Sequence, residues 1–391
     1  MSVAKKDIAI VGYAETKIDV NTRRSPFDFA GEVLDGLLAQ TGLEKDAIDG
    51  FAVCSAMSAM STPFWSIVVS DYLGMELDWC QQVDIGGSSP LGAVARAASA
   101  IRDGQCEIVF VLGADSQSTQ NLSNPRGWQP EFQNPVGLMG PPGAFGFITN
   151  RYDGVYGLDY RALAKIAVTQ REHAVMNDNA YEKFRKPITE QDYLDSRMIS
   201  DPIRLLDCVM PCDGGNGVIV MSTERAKSLG MAKMVHPIGF GERDNHGVND
   251  PDTDILETGH CAAGPKALTQ AGMTVNDVHM FQPYDDFIIA VMLQMENIGF
   301  CKRGEGCAYV MDTDFSHTGD LPLNTSGGQI SAGQAGLAGG GTNLVEAVRQ
   351  LMGDGGARQV KDASNAMVTG IGAIPYLRNW SASTVMILEA G

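Results

Sequence analysis

One pattern that occurs twice constrains the fold of this chain more than any other feature. Residues 37–43, with a glycine at position 42, precede residues 46–51. Residues 267–273, with a glycine at position 272, precede residues 276–281 in the same arrangement. A glutamine, a glycine and a phenylalanine recur in the two copies at a constant offset of 230 residues. Each copy is typical of an amphipathic helix that stops at glycine, a short polar turn and a strand. The chain is therefore predicted to contain two similar halves.

A second helix–strand pair follows in each half. Residues 89–102 have apolar positions at helical spacing and precede the apolar run 108–113. The glycines at 339–341 open a similar helix over 344–352, which precedes the run 366–370. Alternating strands and helices favour an α/β fold, in which mixed or parallel sheets are covered by helices.

A stretch of different composition lies between the two halves. Residues 116–210 are polar and aromatic and are predicted to form an inserted loop domain, with one helix over 160–176. Residues 213–222 then return to the pattern of a buried strand. We predict an N-terminal half over 1–230, which includes the insertion, and a C-terminal half over 231–391.

Composition restricts the classes of function. The 391-residue chain carries a formal net charge of −18, which argues against nucleic acids and anionic membrane surfaces, because both are bound through basic patches. No apolar run reaches the roughly 18 residues of a membrane helix, and no signal-peptide pattern precedes the first strand, so a cytoplasmic location is expected. The eight cysteines and six histidines have no disulfide or metal-ligand spacing, which predicts reduced thiols and no metal site.

Several motifs, in order along the chain, carry a resemblance to a known family. Residues 86–94 (GGSSPLGAV) resemble a turn that reads Cys-Ser-Ser-Gly-Leu-Gln-Ala-Val, with Gly87 in the place of the cysteine. Residues 213–217 match an Asp-Gly-Ala-Ala-Ala strand entry, and residues 324–328 match an Asn-x-x-Gly-Gly turn. The chain thus resembles the thiolase superfamily, on its sterol-carrier/lipid-transfer branch. The resemblance implies the duplicated five-layer αβαβα thiolase fold, a homodimer, and coenzyme A thioesters as substrates.

The positions that react in a thiolase are changed here. The Gly-His-Pro motif of the family reads Gly333-Gln334-Ala335, so the histidine base is absent. The Cys-x-Gly motif reads Gly370-Ile371-Gly372, so the second cysteine is absent too. The Asn-Glu-Ala-Phe or His-Asp-x-Phe motif reads Tyr284-Asp285-Asp286-Phe287. This last form is similar to that of the lipid-transfer-protein aldolases of steroid side-chain breakdown, which split a β-hydroxyacyl-CoA by retro-aldol cleavage.

The similarity to these aldolases also implies a partner. They work with a small OB-fold protein that carries a zinc ribbon, which implies a heterotetramer. Coenzyme A enters as part of the substrate, and no further cofactor is implied for this chain. The aldolases often have a second tyrosine where Gln334 lies, so the chain departs from the group at this position.

The loss of the cysteine fits a change of substrate. A thiolase releases an acyl group from a β-ketone, and the cysteine accepts that group. A β-hydroxy substrate releases a neutral ketone or aldehyde, so it needs a base for the hydroxyl proton and donors for the enolate oxygen, but no acceptor. The sequence therefore predicts a carbon–carbon lyase.

Three residues are the catalytic candidates. Tyr284 is predicted to act as acid or base at the β-hydroxyl, and Asp285 or Asp286 to orient it or to act as the base. An unperturbed phenol has a pKa of about 10, so this role requires tuning. The alternatives are that Tyr284 is a buried aromatic residue with a satisfied hydroxyl and that the two aspartates cap a helix.

The substrate-binding candidates lie at the glycine-rich turns. Backbone N–H groups near Gly87, Ser88 and Gly372 are the predicted oxyanion donors, because glycine lets the backbone approach a ligand closely. The side-chain amide of Gln334 is the predicted donor to a substrate carbonyl or hydroxyl. The alternative for Ser88 and its neighbour Ser89 is that they cap the helix that follows.

Two other functions stay open on the sequence alone. An acyltransferase or thiolase that uses another cysteine predicts a covalent acyl-enzyme. A non-catalytic acyl-CoA- or lipid-binding subunit predicts binding without turnover.

Overall fold

Strands and helices alternate along the computed structural model, which describes residues 6–120, 131, 134–138, 140–374 and 379–391. The strands are β1 (Ile8–Glu15), β2 (Gly50–Cys54), β3 (Trp79–Val83), β4 (Ile108–Ser116), β5 (Met198–Ser200), β6 (Ile203–Arg204), β7 (Asp213–Ser222), β8 (Val235–Asp244), β9 (Phe281–Gln282), β10 (Asn365–Ile371) and β11 (Ala382–Ala390). The helices are α1 (Pro26–Thr41), α2 (Trp65–Tyr72), α3 (Ser89–Arg102), α4 (Gly140–Tyr156), α5 (Tyr160–Val175), α6 (Glu190–Leu194), α7 (Thr223–Ser228), α8 (His260–Ala271), α9 (Ile288–Ile298), α10 (Gly306–Asp312), α11 (Gly328–Ala332) and α12 (Gly340–Leu351). Within these residues, no helix combines the length and the apolar character needed to cross a membrane.

Most of the strands belong to one mixed sheet in the order β3-β2-β4-β7-β1-β8-β11-β10-β9. The five strands from β3 to β1 precede Gly230 in the chain, and the four from β8 to β9 follow it. Among the described residues, the pair Ile10–Val235 joins the two groups. Strand β2 is parallel to β3 and β4, whereas β4, β7 and β1 pair antiparallel. The sheet confirms the predicted α/β class, and the domain boundary near residue 230 stays a prediction.

Alternate residues of the strands face different hydrophobic clusters, and this alternation defines the layers. Ile10 of β1 packs with α3 and α12, whereas its neighbour Val11 packs with α1 on the other face. In β10, Val368 packs with α3 and α12, whereas Met367 packs with α8 and α9. The layers are therefore α1, the N-terminal strands, α3 with α12, the C-terminal strands, and α8 with α9. This arrangement confirms the predicted five-layer thiolase fold.

The duplicated helix–turn–strand unit is present in both halves. Helix α1 ends at Gly42 and α8 at Gly272, whose φ angles of 69° and 70° lie in the left-handed region that glycine adopts without strain. Strands β2 and β9 follow them, as predicted. Strand β9 stops at Gln282 because Pro283 has no N–H to donate to a neighbouring strand. The chain therefore leaves the sheet immediately before Tyr284.

The helix-capping interpretation is wrong for Ser88, Ser89 and Asp286. Ser88 has helical φ and ψ angles of −76° and −13°, not the extended backbone of a capping residue, and its side chain does not cap α3. The Ser89 hydroxyl instead accepts a hydrogen bond from the Ile85 N–H at 3.0 Å. Helix α9 begins without a side-chain cap, so neither Asp285 nor Asp286 caps the helix that follows them. Asp285 instead accepts hydrogen bonds from two first-turn N–H groups of α11, so it caps that helix from a distant part of the chain.

The region predicted as an insertion contains helices α4 to α6 and the short β5–β6 pair. Parts of it lie outside the described residues, namely 121–130, 132–133 and 139. Helix α5 confirms the helix predicted over 160–176. Phe145 of α4 stacks on Phe287 with ring centroids 4.1 Å apart, so this region packs against the segment that follows Tyr284.

A buried ion network supports the Asn-x-x-Gly-Gly turn. Glu346 of α12 pairs with Arg349 at 2.6 Å and with Arg358 at 3.0 Å, and Glu15 of β1 pairs with Arg349 at 2.6 Å. Glu346 also accepts a hydrogen bond from Thr325 Oγ1 of the turn at 2.9 Å. Burial raises the pKa of the Glu346 carboxyl, but the two guanidinium charges outweigh burial and lower it to about 2.

We expect Glu346→Gln to destabilise the protein by about 3–5 kcal/mol, because it leaves two buried guanidinium groups without their shared partner. Chemical denaturation measures this loss. The difference in the free energy of unfolding between the variant and the parent should be largest above about pH 4.5. It should shrink as the pH falls towards 2, where the Glu346 carboxylate of the parent protonates. Glu32→Gln, which removes an exposed pair with Arg24, should cost less than about 1 kcal/mol. Equal losses for the two variants would contradict this account.

Candidate active site

The backbone of Tyr284 is fixed at the end of β9 by two buried side chains. Its N–H donates to Thr369 Oγ1 at 2.9 Å, and its carbonyl oxygen accepts from Gln294 Nε2 at 2.7 Å. Thr369 in turn donates to Gln294 Oε1, so the three residues form a closed set of hydrogen bonds. Tyr284 is 4% exposed. The position of the ring is therefore set by the C-terminal half of the chain.

The Tyr284 ring occupies the space above Gly87. A Cβ atom added to Gly87 would lie 2.1 Å from the ring carbon Cε2 and 2.4 Å from the hydroxyl oxygen. Real Cβ atoms essentially never approach other atoms so closely, so a side chain at position 87 and this placement of the phenol exclude each other. The phenol thus lies where the nucleophilic cysteine of a thiolase would begin.

Other glycines let the turns of the two halves touch. A Cβ on Gly370 would lie 2.6 Å from the Cα of Ser88, and a Cβ on Gly86 would lie 2.8 Å from the Cα of Gly372. Gly86 also has a φ angle of 62°, which favours glycine. The structure therefore brings Gly87, Ser88 and Gly372 together with Tyr284, as the sequence motifs predicted.

The Tyr284 hydroxyl oxygen accepts a hydrogen bond from Gln334 Nε2 at 3.2 Å. The same nitrogen lies 3.2 Å from Gln329 Oε1, which orients the Gln334 amide. Burial raises the pKa of the Tyr284 phenol well above its ordinary value of 10, and the charges of Asp286 and Asp285 raise it further. The phenol is therefore neutral near pH 7, and its proton is available for a hydrogen bond to a ligand.

Asp285 is a fully hydrogen-bonded carboxylate. It accepts from Gln170 Nε2 at 2.7 Å, from the N–H groups of Gln329 and Ile330 at 3.0 and 3.2 Å, and from Asn343 Nδ2 at 3.3 Å. Burial raises the pKa of the Asp285 carboxyl and these hydrogen bonds lower it, which leaves a pKa of about 6. With its oxygens so occupied, Asp285 is suited to holding α11 and α12 against the Tyr284 segment.

Asp286 has the opposite environment. Its Oδ1 atom is buried and has no hydrogen-bond partner among the described residues. Burial, together with the charge of Asp285, raises the pKa of the Asp286 carboxyl to about 8. A carboxylate with a free oxygen and a pKa near neutrality has the properties of a general base. Of the two aspartates, Asp286 is therefore the candidate for proton transfer.

The predicted backbone donors differ in availability. The Gly372 N–H donates to the Ala382 carbonyl oxygen at 2.8 Å, because the β10–β11 pairing extends to this residue. The Gly372 N–H itself is therefore occupied, and a backbone donor near this glycine stays a prediction. The Ser88 N–H donates to the Ile85 carbonyl oxygen at 3.3 Å. The Gly87 N–H is then the remaining candidate among the three predicted donors.

A segment that the sequence did not single out borders the site. The Val209 N–H donates to the Asp286 carbonyl oxygen at 3.2 Å, and Met210 and Cys212 exchange backbone hydrogen bonds with Gln334 at 3.1 and 2.7 Å. Residues 208–212 therefore hold both Asp286 and Gln334 in place. No motif marks this segment, because its contribution is made through backbone atoms.

Two thiols in that segment bear on the thiolase alternative. The Cys208 thiol donates to the Arg204 carbonyl oxygen at 3.3 Å, and the Cys212 thiol donates to the Met210 carbonyl oxygen at 3.2 Å. Burial raises the pKa of both thiols to about 12. A thiol that stays protonated near pH 7 is a poor nucleophile, so the surroundings of these two thiols disfavour the thiolase alternative.

Comparison with known proteins agrees with this geometry. Residues 241–390 match a family model described as Thiolase C-terminal domain-like. The steroid side-chain-cleaving aldolase of Thermomonospora curvata is 30% identical, over 96% of this chain and 97% of that protein. The 17-hydroxy-3-oxo-4-pregnene-20-carboxyl-CoA lyase of Mycobacterium tuberculosis is 31% identical, over 94% of this chain and 97% of that protein. The solved Ltp2-ChsH2(DUF35) aldolase superposes with a TM-score of 0.84 at 28% identity, over 100% of this chain and 99% of that chain.

The five layers and the facing turns of the two halves define a thiolase-fold protein. With relatives of this identity over almost its whole length, the chain belongs to the thiolase superfamily, on the sterol-carrier/lipid-transfer branch that contains the steroid side-chain-cleaving aldolases.

We expect Gly87→Ala to destabilise the protein by about 1–3 kcal/mol, because the new methyl group overlaps the Tyr284 ring. Equilibrium unfolding measures this cost. In a Tyr284→Ala background the same substitution should cost less than about 0.5 kcal/mol, because the overlap is gone. Gly31→Ala, in α1 with no atom within 4 Å of the added Cβ, should instead stabilise by about 0.5–1 kcal/mol. A cost at position 87 that does not depend on residue 284 would disprove the overlap.

Proposed function

We propose that this chain is a carbon–carbon lyase that cleaves a β-hydroxyacyl-CoA by a retro-aldol reaction, releasing a ketone or aldehyde and a shorter acyl-CoA. The observation that carries the proposal is the Tyr284 ring above Gly87, because a phenol at this position excludes the cysteine that thiolase chemistry needs. The names of the relatives, an aldolase and a CoA lyase, support the same reaction class.

Asp286 is the proposed base. Its carboxylate removes the proton of the β-hydroxyl, and the electrons of that O–H bond form the carbonyl group of the leaving ketone or aldehyde. The Cα–Cβ bond breaks, and its electron pair moves to Cα and onto the thioester oxygen, which gives an enolate. The proton held by Asp286 then passes to Cα, which completes the shorter acyl-CoA and restores the carboxylate.

Tyr284 and the turn at Gly87 are the proposed donors. The Gln334 amide donates to the Tyr284 oxygen, so the phenol proton is free to point at a substrate oxygen. The N–H of Gly87, which lies next to the Tyr284 ring, is the proposed second donor. Donors already in place where negative charge develops lower the barrier without reorganisation. Asp285 acts as a positioning residue, because its hydrogen bonds fix the segment that carries Tyr284 and Asp286.

The proposed substrate carries a bulky group at the β carbon. A steroid-like side chain is the class that the names of the two sequence relatives support. A tertiary β-hydroxyl on such a group cannot be oxidised to the β-ketone that a thiolase requires, so retro-aldol cleavage is the route open to it.

The direct test compares Asp286→Asn and Tyr284→Phe in an assay of ketone release from a set of β-hydroxyacyl-CoA thioesters. Asp286→Asn should lower kcat/KM by about 10²–10⁴-fold, and Tyr284→Phe by about 10²–10³-fold. The kcat/KM of the parent enzyme should rise with pH up to about 8 and then level, because the base is active when deprotonated. Tyr284→Phe should keep this rising limb, and Asp286→Asn should lose it.

Mass spectrometry after exposure to the same thioesters separates the alternatives. The lyase should carry no covalent adduct, whereas an acyl group on Cys208 or Cys212 would establish a thiolase-type reaction instead. Acyl-CoA binding without ketone release, even with the OB-fold partner present, would establish a binding subunit. An Asp286→Asn enzyme with the activity of the parent would refute the proposed base.

The proposed assembly is a homodimer that also binds a small OB-fold zinc-ribbon protein. The homodimer is assigned to the sheet edge at β3, where α2 and the preceding turn expose Phe64, Ile67 and Tyr72. An unpaired edge strand beside apolar side chains suits pairing with a second copy across a two-fold axis. The OB-fold partner is assigned to α4, which exposes Phe147, and the second component in the name of the solved relative supports a partner of this kind.

Two surface variants test these assignments separately. Phe64→Asp combined with Ile67→Asp should give a monomer in light scattering and still bind the OB-fold protein, because only the β3 face is altered. Phe147→Asp should stay dimeric and lose the OB-fold protein in a pull-down. If the double variant instead lost the OB-fold protein and Phe147→Asp became monomeric, the two assignments would have to be exchanged. A double variant that stays dimeric would refute the β3 assignment.

A further inference from the structure

A cluster of metal-ligating side chains lies outside the candidate active site. His246 follows β8, Glu257 lies one turn before α8, and Cys261 is in its first turn. One ligand atom from each lies within 4.8 Å of the others. The spacings of 11 and 4 residues between them match no metal-binding motif, so the sequence alone predicts no metal site. We propose that these three residues bind one divalent cation of the zinc class.

The distances between the ligand atoms fit a tetrahedral site. With bonds of about 2.1 Å to nitrogen or oxygen and about 2.3 Å to sulfur, a tetrahedral zinc ion places N and O about 3.4 Å apart, and each about 3.6 Å from S. His246 Nε2 and Glu257 Oε1 are 2.8 Å apart, and Cys261 Sγ is 3.5 Å from the nitrogen and 3.8 Å from the oxygen. Only the N–O pair must open, by about 0.6 Å, to admit the ion.

An outer hydrogen bond supports the Glu257 carboxylate as a ligand, whereas His246 Nδ1 is buried without a partner among the described residues. Arg303 donates to Glu257 Oε2 at 2.6 Å, which orients the carboxylate and leaves Oε1 facing His246 and Cys261. Such outer hydrogen bonds to a ligating carboxylate are typical of metal sites. The set of imidazole, thiolate and carboxylate favours zinc over calcium or magnesium, which prefer all-oxygen sites. Three protein ligands leave the fourth position to water.

The backbone on both sides of the cluster is defined. Asn245 and Gly247 have φ angles of 48° and 73°, so a tight turn presents His246. His260, next to Cys261, places its Nε2 atom 3.2 Å from the Gly370 carbonyl oxygen, beside the turn that carries Ser88. A cation bound here would tie the turn at His246 to the start of α8, whose first residue contacts Gly370 of β10.

The test is a metal titration of the full-length chain, freed of affinity tags and of metal, with Zn²⁺ and with Co²⁺ as the spectroscopic probe. We expect one ion per chain, a thiolate-to-cobalt absorption band in the near ultraviolet, and a higher melting temperature with zinc. Cys261→Ser should remove the band, and His246→Gln should weaken binding by at least about 100-fold.

Two matched variants, Cys301→Ser and His279→Gln, remove a half-buried thiol and an imidazole outside the cluster and should bind as the parent does. The cobalt spectrum of the parent protein decides the proposal even if a cluster variant fails to fold. Binding well below one ion per chain, or a band that persists in folded Cys261→Ser, would overturn it.

Discussion

The steric exclusion between the Tyr284 ring and any side chain at position 87 is the constraint on which the candidate site depends. A thiolase needs a thiol that projects from this turn, and the phenol fills the same volume. Thiolase chemistry with a cysteine at position 87 and chemistry with a phenol at this position are therefore alternatives on one scaffold. This chain has Gly87 and Tyr284, the pair that suits the phenol. The Tyr284 ring can take this position only because residue 87 has no side chain, so the loss of the cysteine and the presence of the tyrosine go together.

The paired aspartates show how one dipeptide can supply two environments. Asp285 receives two backbone and two side-chain donors, whereas Asp286 has a buried oxygen without a partner. Burial raises the pKa of the Asp286 carboxyl, and the charge that the hydrogen bonds keep on Asp285 raises it further. This difference in surroundings supports the proposed division of roles, with Asp285 as the positioning residue and Asp286 as the base.

The surrounding fold supplies rigidity from both halves. Thr369 and Gln294 fix the backbone of Tyr284, while the turn at Gly87 comes from the other half of the chain. The buried ion network around Glu346 holds the third turn of the site through Thr325. The turns of the site meet between two packed halves, so the sheets fix their positions. Such rigidity suits chemistry that relies on hydrogen-bond donors already in place.

The sequence by itself determined the class of fold and pointed to several residues of the candidate site. Its duplicated helix–glycine–strand unit predicted two similar halves, and its changed motifs pointed to Tyr284, Gly87 and Gln334, because these signals lie in local residue patterns. Only the tertiary structure decided which aspartate is free, that Gly372 is occupied by strand pairing, and that residues 208–212 border the site. Hydrogen bonds between residues far apart in the chain set those outcomes, and no local pattern encodes them.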